Sequence, residues 1–138
     1  MPVLYLTRRS TFCASHRLHS PDLTDDENRR VFGKCNHPNG HGHNYELVVT
    51  VRGEVDPRTG MVMNLSDLKR VVKDAVVDLV DHTHLNFDVP AFRGVIPTAE
   101  NMAVVFWGLL DAALPRRGLL HEVKVRETEN NSATYRGE

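Results

Sequence analysis

Cys35-Asn36-His37-Pro38-Asn39-Gly40-His41-Gly42-His43-Asn44-Tyr45 sets one thiol, three imidazoles and two glycines ahead of an alternating apolar segment. His41 and His43 are two residues apart. At the start of a strand, both side chains leave the same face. Two neutral imidazoles on one face form a metal-ligating pair, and zinc is the first candidate for nitrogen ligands. The other reading is a pair of solvated loop histidines. Tyr45, Leu47, Val49 and Val51 continue on the His41 and His43 face, within a second strand expected over Asn44 to Val55.

Upstream, Val3 to Arg17 reads as one long strand. Phe12, Ala14 and His16 alternate with Thr11, Cys13 and Ser15. His16 therefore falls at a strand end, and a hairpin pairing would set it beside His41 and His43. Three protein ligands with one open position form the catalytic zinc arrangement, whereas structural zinc is four-coordinate. His19, His37 and His84 compete as third ligand, and His16 is preferred because strand placement is rigid. Between the strands, Ser20-Pro21 breaks the pattern. Thr24-Asp25-Asp26-Glu27 then has the form of a capping box for a short helix ending near Gly33.

Downstream, Asp56-Pro57-Arg58-Thr59-Gly60 is a turn. Asn64 caps a helix carrying Leu65, Leu68, Val72, Ala75, Val76 and Leu79 to about Val80. Asp81 to Asn86 reads as a polar loop. A second main helix runs from Ala99 to about Leu114 with Thr98 as its cap. Strands over His121 to Thr128 and Ala133 to Arg136 close the chain around Asn130-Asn131-Ser132. The β-β-α-α-β-β order predicts an α+β fold: a four-stranded antiparallel sheet with two helices on one face. Two open sheet edges favour an oligomer, with sheets closing into a barrel.

The 138 residues suit one domain, residues 1–138, with a substantial core. Basic and acidic residues balance at 17 to 18, and no basic run argues for nucleic acid. No apolar run is long enough for a membrane span, and Met1-Pro2-Val3-Leu4-Tyr5 lacks the features of a secretory leader. A cytoplasmic location is the resulting expectation. Two cysteines are too few for a disulfide framework.

Four further groups could carry chemistry. Cys35 reads as a base or nucleophile, as a fourth zinc ligand, or as an inert thiol. Cys13, inside the alternating strand, reads as packing. Asp81-His82 ends a helix, where histidine favours the dipole; alternatively the carboxylate orients an imidazole that handles a proton. Glu127 falls by alternation on the face of Val123 and Val125. There it either grips a ligand with two parallel N–H donors or sits wet at a strand end. Glu100, in a first helical turn, is a dipole partner or a ligand contact.

Taken together, several motifs resemble the 6-pyruvoyl / 6-carboxytetrahydropterin synthase family. They are Phe12-Cys13-Ala14-Ser15-His16-Arg17-Leu18, the stretch Phe32 to Tyr45, Asp56 to Leu65, Asp81-His82, Pro97-Thr98-Ala99-Glu100-Asn101 and Glu127-Thr128-Glu129-Asn130-Asn131. The five residues Asn36 to Gly40 between Cys35 and His41 favour the pyruvoyl-forming branch. Glu129 replaces the aspartate expected there. The resemblance implies a tunnelling fold, with trimers closing a β-barrel and two trimers stacked as a homohexamer. It implies His16, His41 and His43 as zinc ligands and Cys35 as general base. Asp81 and His82 would poise that base from a neighbouring subunit, and Glu127 would anchor a pterin with Thr98 and Glu100 as further contacts. The implied reaction converts 7,8-dihydroneopterin triphosphate to 6-pyruvoyltetrahydropterin and triphosphate, in tetrahydrobiopterin biosynthesis. Lys34, Arg8, Arg9 and Arg17 are candidate cations for the triphosphate. The alternatives are a 6-carboxytetrahydropterin synthase of queuosine biosynthesis, a zinc-hydroxide hydrolase, and a non-enzymatic zinc-stabilised assembly module.

Overall fold

A computed structural model describes all 138 residues. Its backbone is two 14-residue strands, β1 (Val3–His16) and β2 (His41–Glu54), paired antiparallel from Val3 opposite Glu54 to His16 opposite His41. Strand β2 thus begins at His41, ahead of the expected Asn44, because the ladder with β1 extends through the His-Gly-His segment. Between them lies α1 (Asp25–Phe32), opened by the Thr24/Glu27 capping box. The buried amide of Asn28 bonds Ser20 N and O, holding the Ser20 to Thr24 loop against that helix. A single 3-10 turn, Gly33–Asn36, then carries Cys35.

After β2, α2 (Leu65–Val72) continues through a π-helical turn (Lys73–Val77) into α3 (Asp78–Val80). The wider turn changes which side chains meet the sheet. Leu68, Val72, Val76 and Val80 are fully buried, whereas Leu65 and Leu79, expected on the apolar stripe, are exposed. The expected Asp81 to Asn86 loop is instead ordered. Strand β3 (Thr83–His84) pairs parallel with Ala14 and Ser15, and α4 (Leu85–Asp88) follows. Helix α5 (Ala99–Ala113) is capped by Thr98, whose hydroxyl accepts from Asn101 N at 3.1 Å.

Strands β4 (Leu120–Arg126) and β5 (Ser132–Tyr135) complete a mixed five-stranded sheet ordered β3-β1-β2-β4-β5. The four-stranded antiparallel expectation is corrected by β3: two residues that the polar composition of their segment concealed. One sheet face supplies Phe12, Ala14, Tyr45, Leu47, Val49, Val51, Val123 and Val125 to the core. Helix α5 supplies Met102, Ala103, Phe106 and Leu110 from its side of that core. The exposed sheet face carries Cys13, which the alternation had assigned to packing. Its side of β1 is opposite the buried Phe12, Ala14 and His16, so the alternation holds and the packing reading of Cys13 does not. No helix is long and apolar enough to cross a membrane.

Candidate metal centre and adjoining clefts

The inner-face alternation that buries Phe12 and Ala14 also buries His16, which is fully inaccessible. Register sets His16 opposite His41, and Ala14 opposite His43. The three imidazoles therefore converge at one end of the β1/β2 ladder. Their ligand nitrogens all lie within 4.8 Å of one another. His16 Nε2 and His41 Nε2 approach to 3.2 Å.

The tautomer of His16 follows from its other ring nitrogen. Nδ1–H donates to the Pro97 carbonyl at 2.8 Å, with the Tyr45 hydroxyl oxygen 3.3 Å away. A proton on Nδ1 leaves a lone pair on Nε2, which faces His41. Such an outer bond to a backbone carbonyl is the usual device for aiming a ligating imidazole. Burial, followed in smaller measure by His41 and His43, pulls the His16 pKa down to about 4, so the ring is neutral near pH 7. Burial and then His43 also lower His41. Buried and unpartnered, His41 Nδ1 and His43 Nε2 are groups that a protein rarely leaves unmatched. Three imidazoles in this arrangement fit a divalent metal ion.

Cys35 stands outside this ligand cluster. It is half-buried, and burial, then the charge of Glu127, raises its thiol pKa. The same carboxylate, second to burial, raises the Tyr45 phenol. Glu127 follows the last residue of β4, and its carboxylate turns to the side of the sheet that carries His43. Its backbone N–H bonds Asn131 O at 3.1 Å, and a carboxylate oxygen reaches to 3.6 Å from His43 Nε2. Thr98, Glu100 and Glu127 line one cleft of about 740 Å³, with Leu18 and Phe32 on its wall. The structure thus brings together the residues expected to contact a ligand, immediately beside the histidines.

Asp81 and His82 lie elsewhere in the chain. Asp81 Oδ1 accepts from Cys13 N at 2.9 Å, and His82 N donates to Cys13 O at 2.6 Å. This bonding, first the Cys13 amide and then His82, lowers the Asp81 pKa. His82 has φ of 62°, a left-handed conformation uncommon outside glycine. The two adjacent side chains meet at this reversal, with Asp81 Oδ2 3.0 Å from His82 Nδ1. No hydrogen bond or ion pair joins either residue to Cys35 or to the three histidines of the same chain. His84, a competing third ligand, is outside the cluster, its ring against Phe87. His19 accepts instead from the Asn36 amide. The Pro97 carbonyl and the Tyr45 hydroxyl are site components that residue-type reasoning missed. The alternation placing Tyr45 on the His43 face was the available signal for the second, whereas a backbone carbonyl leaves none.

Across residues 5–138 the chain matches the family described as PTPS, 6-pyruvoyl tetrahydropterin synthase. Human 6-pyruvoyl tetrahydrobiopterin synthase is 56% identical over 133 residues, covering 96% of this chain and 91% of the human protein. The Dictyostelium discoideum protein of that name is 46% identical over 133 residues, 96% of each chain. The structure of Caenorhabditis elegans 6-pyruvoyl tetrahydropterin synthase superposes with a TM-score of 0.96 at 43% identity, covering 100% of this chain and 98% of that one. The Plasmodium vivax enzyme structure, at TM-score 0.71 and 18% identity over 98% of both chains, shares the fold alone. The chain belongs to the 6-pyruvoyl tetrahydropterin synthase family.

Proposed function

We propose that this chain is a zinc-dependent lyase converting 7,8-dihydroneopterin triphosphate to 6-pyruvoyltetrahydropterin and triphosphate, with Cys35 as the general base. The observation that carries the reading is the three-imidazole cluster with Cys35 outside it. A cluster of three leaves room for substrate, and a sulfur outside it is free for proton transfer. The assembly-module reading needs Cys35 as a fourth ligand, and this arrangement disfavours it. Identity of 56% to the human synthase supports the reaction.

His16, His41 and His43 would hold the zinc, with Pro97 O and Tyr45 fixing the first of them. Bound there, zinc supplies Lewis acidity to the substrate's side-chain hydroxyls and positive charge that favours the Cys35 thiolate. Cys35 takes a proton from a side-chain carbon. Glu127 accepts two parallel N–H bonds from the pterin ring, with Thr98 and Glu100 on the same cleft. Each proton taken from a side-chain carbon leaves its electron pair to shift toward the ring, which takes up a proton in turn, so the reducing equivalents pass internally and no nicotinamide is required.

Asp81 and His82 act in this reading from a neighbouring subunit. Strand β3 covers only Ala14 and Ser15, which leaves most of β1 as an open edge with Val3, Leu4 and Tyr5 exposed. Such an edge is a pairing surface. Assembly of trimers into a barrel, and of trimers into a hexamer, would cover it. The chain is read as one domain working in the cytoplasm. Turnover of 7,8-dihydroneopterin triphosphate, with product mass determined and a chelator arm included, tests the proposal. A pyruvoyl product and loss of turnover on chelation are expected; a carboxylated pterin with acetaldehyde, or chelator-resistant turnover, overturns it.

A further inference from the structure

A second cleft, of about 600 Å³, reaches the histidine cluster at His41. Its lining includes Arg17, Arg29, Lys34, His37 and His41, and no acidic side chain. Arg17 donates through Nε to Asn36 O at 3.0 Å, which anchors the guanidinium and leaves its terminal nitrogens unspent. Neither Arg17 nor Lys34 makes an ion pair anywhere in the chain, while Arg29 pairs with Asp26. His37 Nδ1 accepts from Asn39 N at 3.1 Å. The neutral ring therefore carries its proton on Nε2, a donor even without charge.

Position adds to charge. His41 lines the cationic cleft, whereas His43 contacts Glu127, which lines the cleft with Thr98 and Glu100. The histidine cluster thus adjoins both a basic recess, through His41, and an acidic one, through His43 and Glu127. The substrate has the same order: a ring rich in N–H donors, a hydroxylated side chain, and a polyanion. We propose that the Arg17/Arg29/Lys34/His37 cleft seats the substrate's triphosphate and steadies it as leaving group, an inference that rests on the lyase reading above. In the elimination, Cys35 takes the proton from the neighbouring carbon, a C=C bond forms, and the C–O bond breaks with its electron pair staying on the triphosphate. The departing group gains one negative charge, which fixed cations stabilise. Arg8 and Arg9, the other sequence candidates, are set apart. They share a different recess with Asp78 and Asp81, and Arg9 is held by Glu46 at 3.0 Å.

The test compares zinc-loaded wild type with Lys34→Gln, Lys34→Arg and the Arg29→Gln/Lys34→Gln double variant. Arg70→Gln, an exposed helix position, is the control. Inhibition by inorganic tripolyphosphate and by phosphate-free 7,8-dihydroneopterin is measured beside substrate KM, with zinc content checked in every sample. Each lost cation is expected to raise KM and the tripolyphosphate inhibition constant about tenfold, the worth of one charge-assisted bond. Inhibition by dihydroneopterin should stay within about twofold, and Lys34→Arg should restore most of the loss. Unchanged tripolyphosphate inhibition in the double variant overturns the proposal, as does equal weakening of the phosphate-free ligand. Absence of wild-type turnover would sink the lyase reading itself; calorimetric binding of tripolyphosphate to the same variants would still decide the cleft.

Discussion

Gly40 directly precedes His41, a proposed zinc ligand, and has φ of +76°. A Cβ there would lie 2.8 Å from the His16 carbonyl oxygen and 2.9 Å from His84 Nε2. Gly40→Ala therefore meets two separate penalties. Left-handed backbone costs an L-residue about 1–2 kcal/mol. Forcing extra volume against backbone adds about 1–3 kcal/mol, giving a loss of about 2–5 kcal/mol. Gly60→Ala isolates the first penalty, since Gly60 has φ of +73° with nothing within 4 Å. Urea unfolding of the two metal-free variants should differ by about 1–3 kcal/mol, the contact contribution alone. Relief of the clash pushes residue 40 away from His16, and His41 moves with it. Zinc affinity by competition with a chromogenic chelator should therefore fall at least about tenfold in Gly40→Ala, the effect of misorienting a ligand, and stay at wild type in Gly60→Ala. Equal stability loss at the two sites, or unchanged zinc affinity in Gly40→Ala, would refute the reasoning.

Burial holds the His16 pKa at about 4, below its ordinary 6.5, so the unfolded chain takes the proton more readily. Stability of the metal-free protein should be intact above pH 6.5 and decline as pH falls to about 4, by about 3 kcal/mol; a flat profile over that window in urea titrations would contradict it. Glu127→Gln should lower kcat/KM about 10²-fold or more through loss of two charge-assisted bonds, with metal content unchanged by elemental analysis; wild-type kinetics would remove Glu127 from the ligand cleft. Cys35→Ala and Asp81→Asn should each be inactive as pure proteins yet recover turnover when refolded together, because intact Cys35 and intact Asp81 then meet across a subunit boundary. No recovery would assign both residues to one subunit's site.

Much of the three-histidine cluster was legible in alternation. His16, His41 and His43 occupy positions in the same period-2 pattern as Phe12 and Tyr45, so burying the apolar members carried the imidazoles inward together. Antiparallel pairing then did the rest. Legibility failed where geometry depends on partners distant in sequence. The π-turn at Lys73–Val77 shifted the core position from Leu79 to Val80, and no local residue type announces such a turn. Strand β3 exists because Ala14 and Ser15 offer an edge, not because Thr83-His84 has strand character of its own. Glu127, by contrast, keeps the alternation one residue past β4: its N–H bonds Asn131 O next to the Arg126–Ser132 pair, and its carboxylate stands beside His43. Arg29 was hidden for a different reason. It lies on a short helix that reads as an ordinary charged surface, and only folding brings it beside Lys34 and Arg17.

The most direct measurement is zinc stoichiometry and turnover of Cys35→Ala on one preparation, with its oligomeric mass. We expect full metal content, unchanged mass and turnover reduced by at least about 10²-fold, the contribution of a positioned base. Loss of zinc together with the sulfur would make Cys35 a ligand, and turnover near wild type would make it a bystander; either result contradicts a three-histidine centre served by a separate thiol.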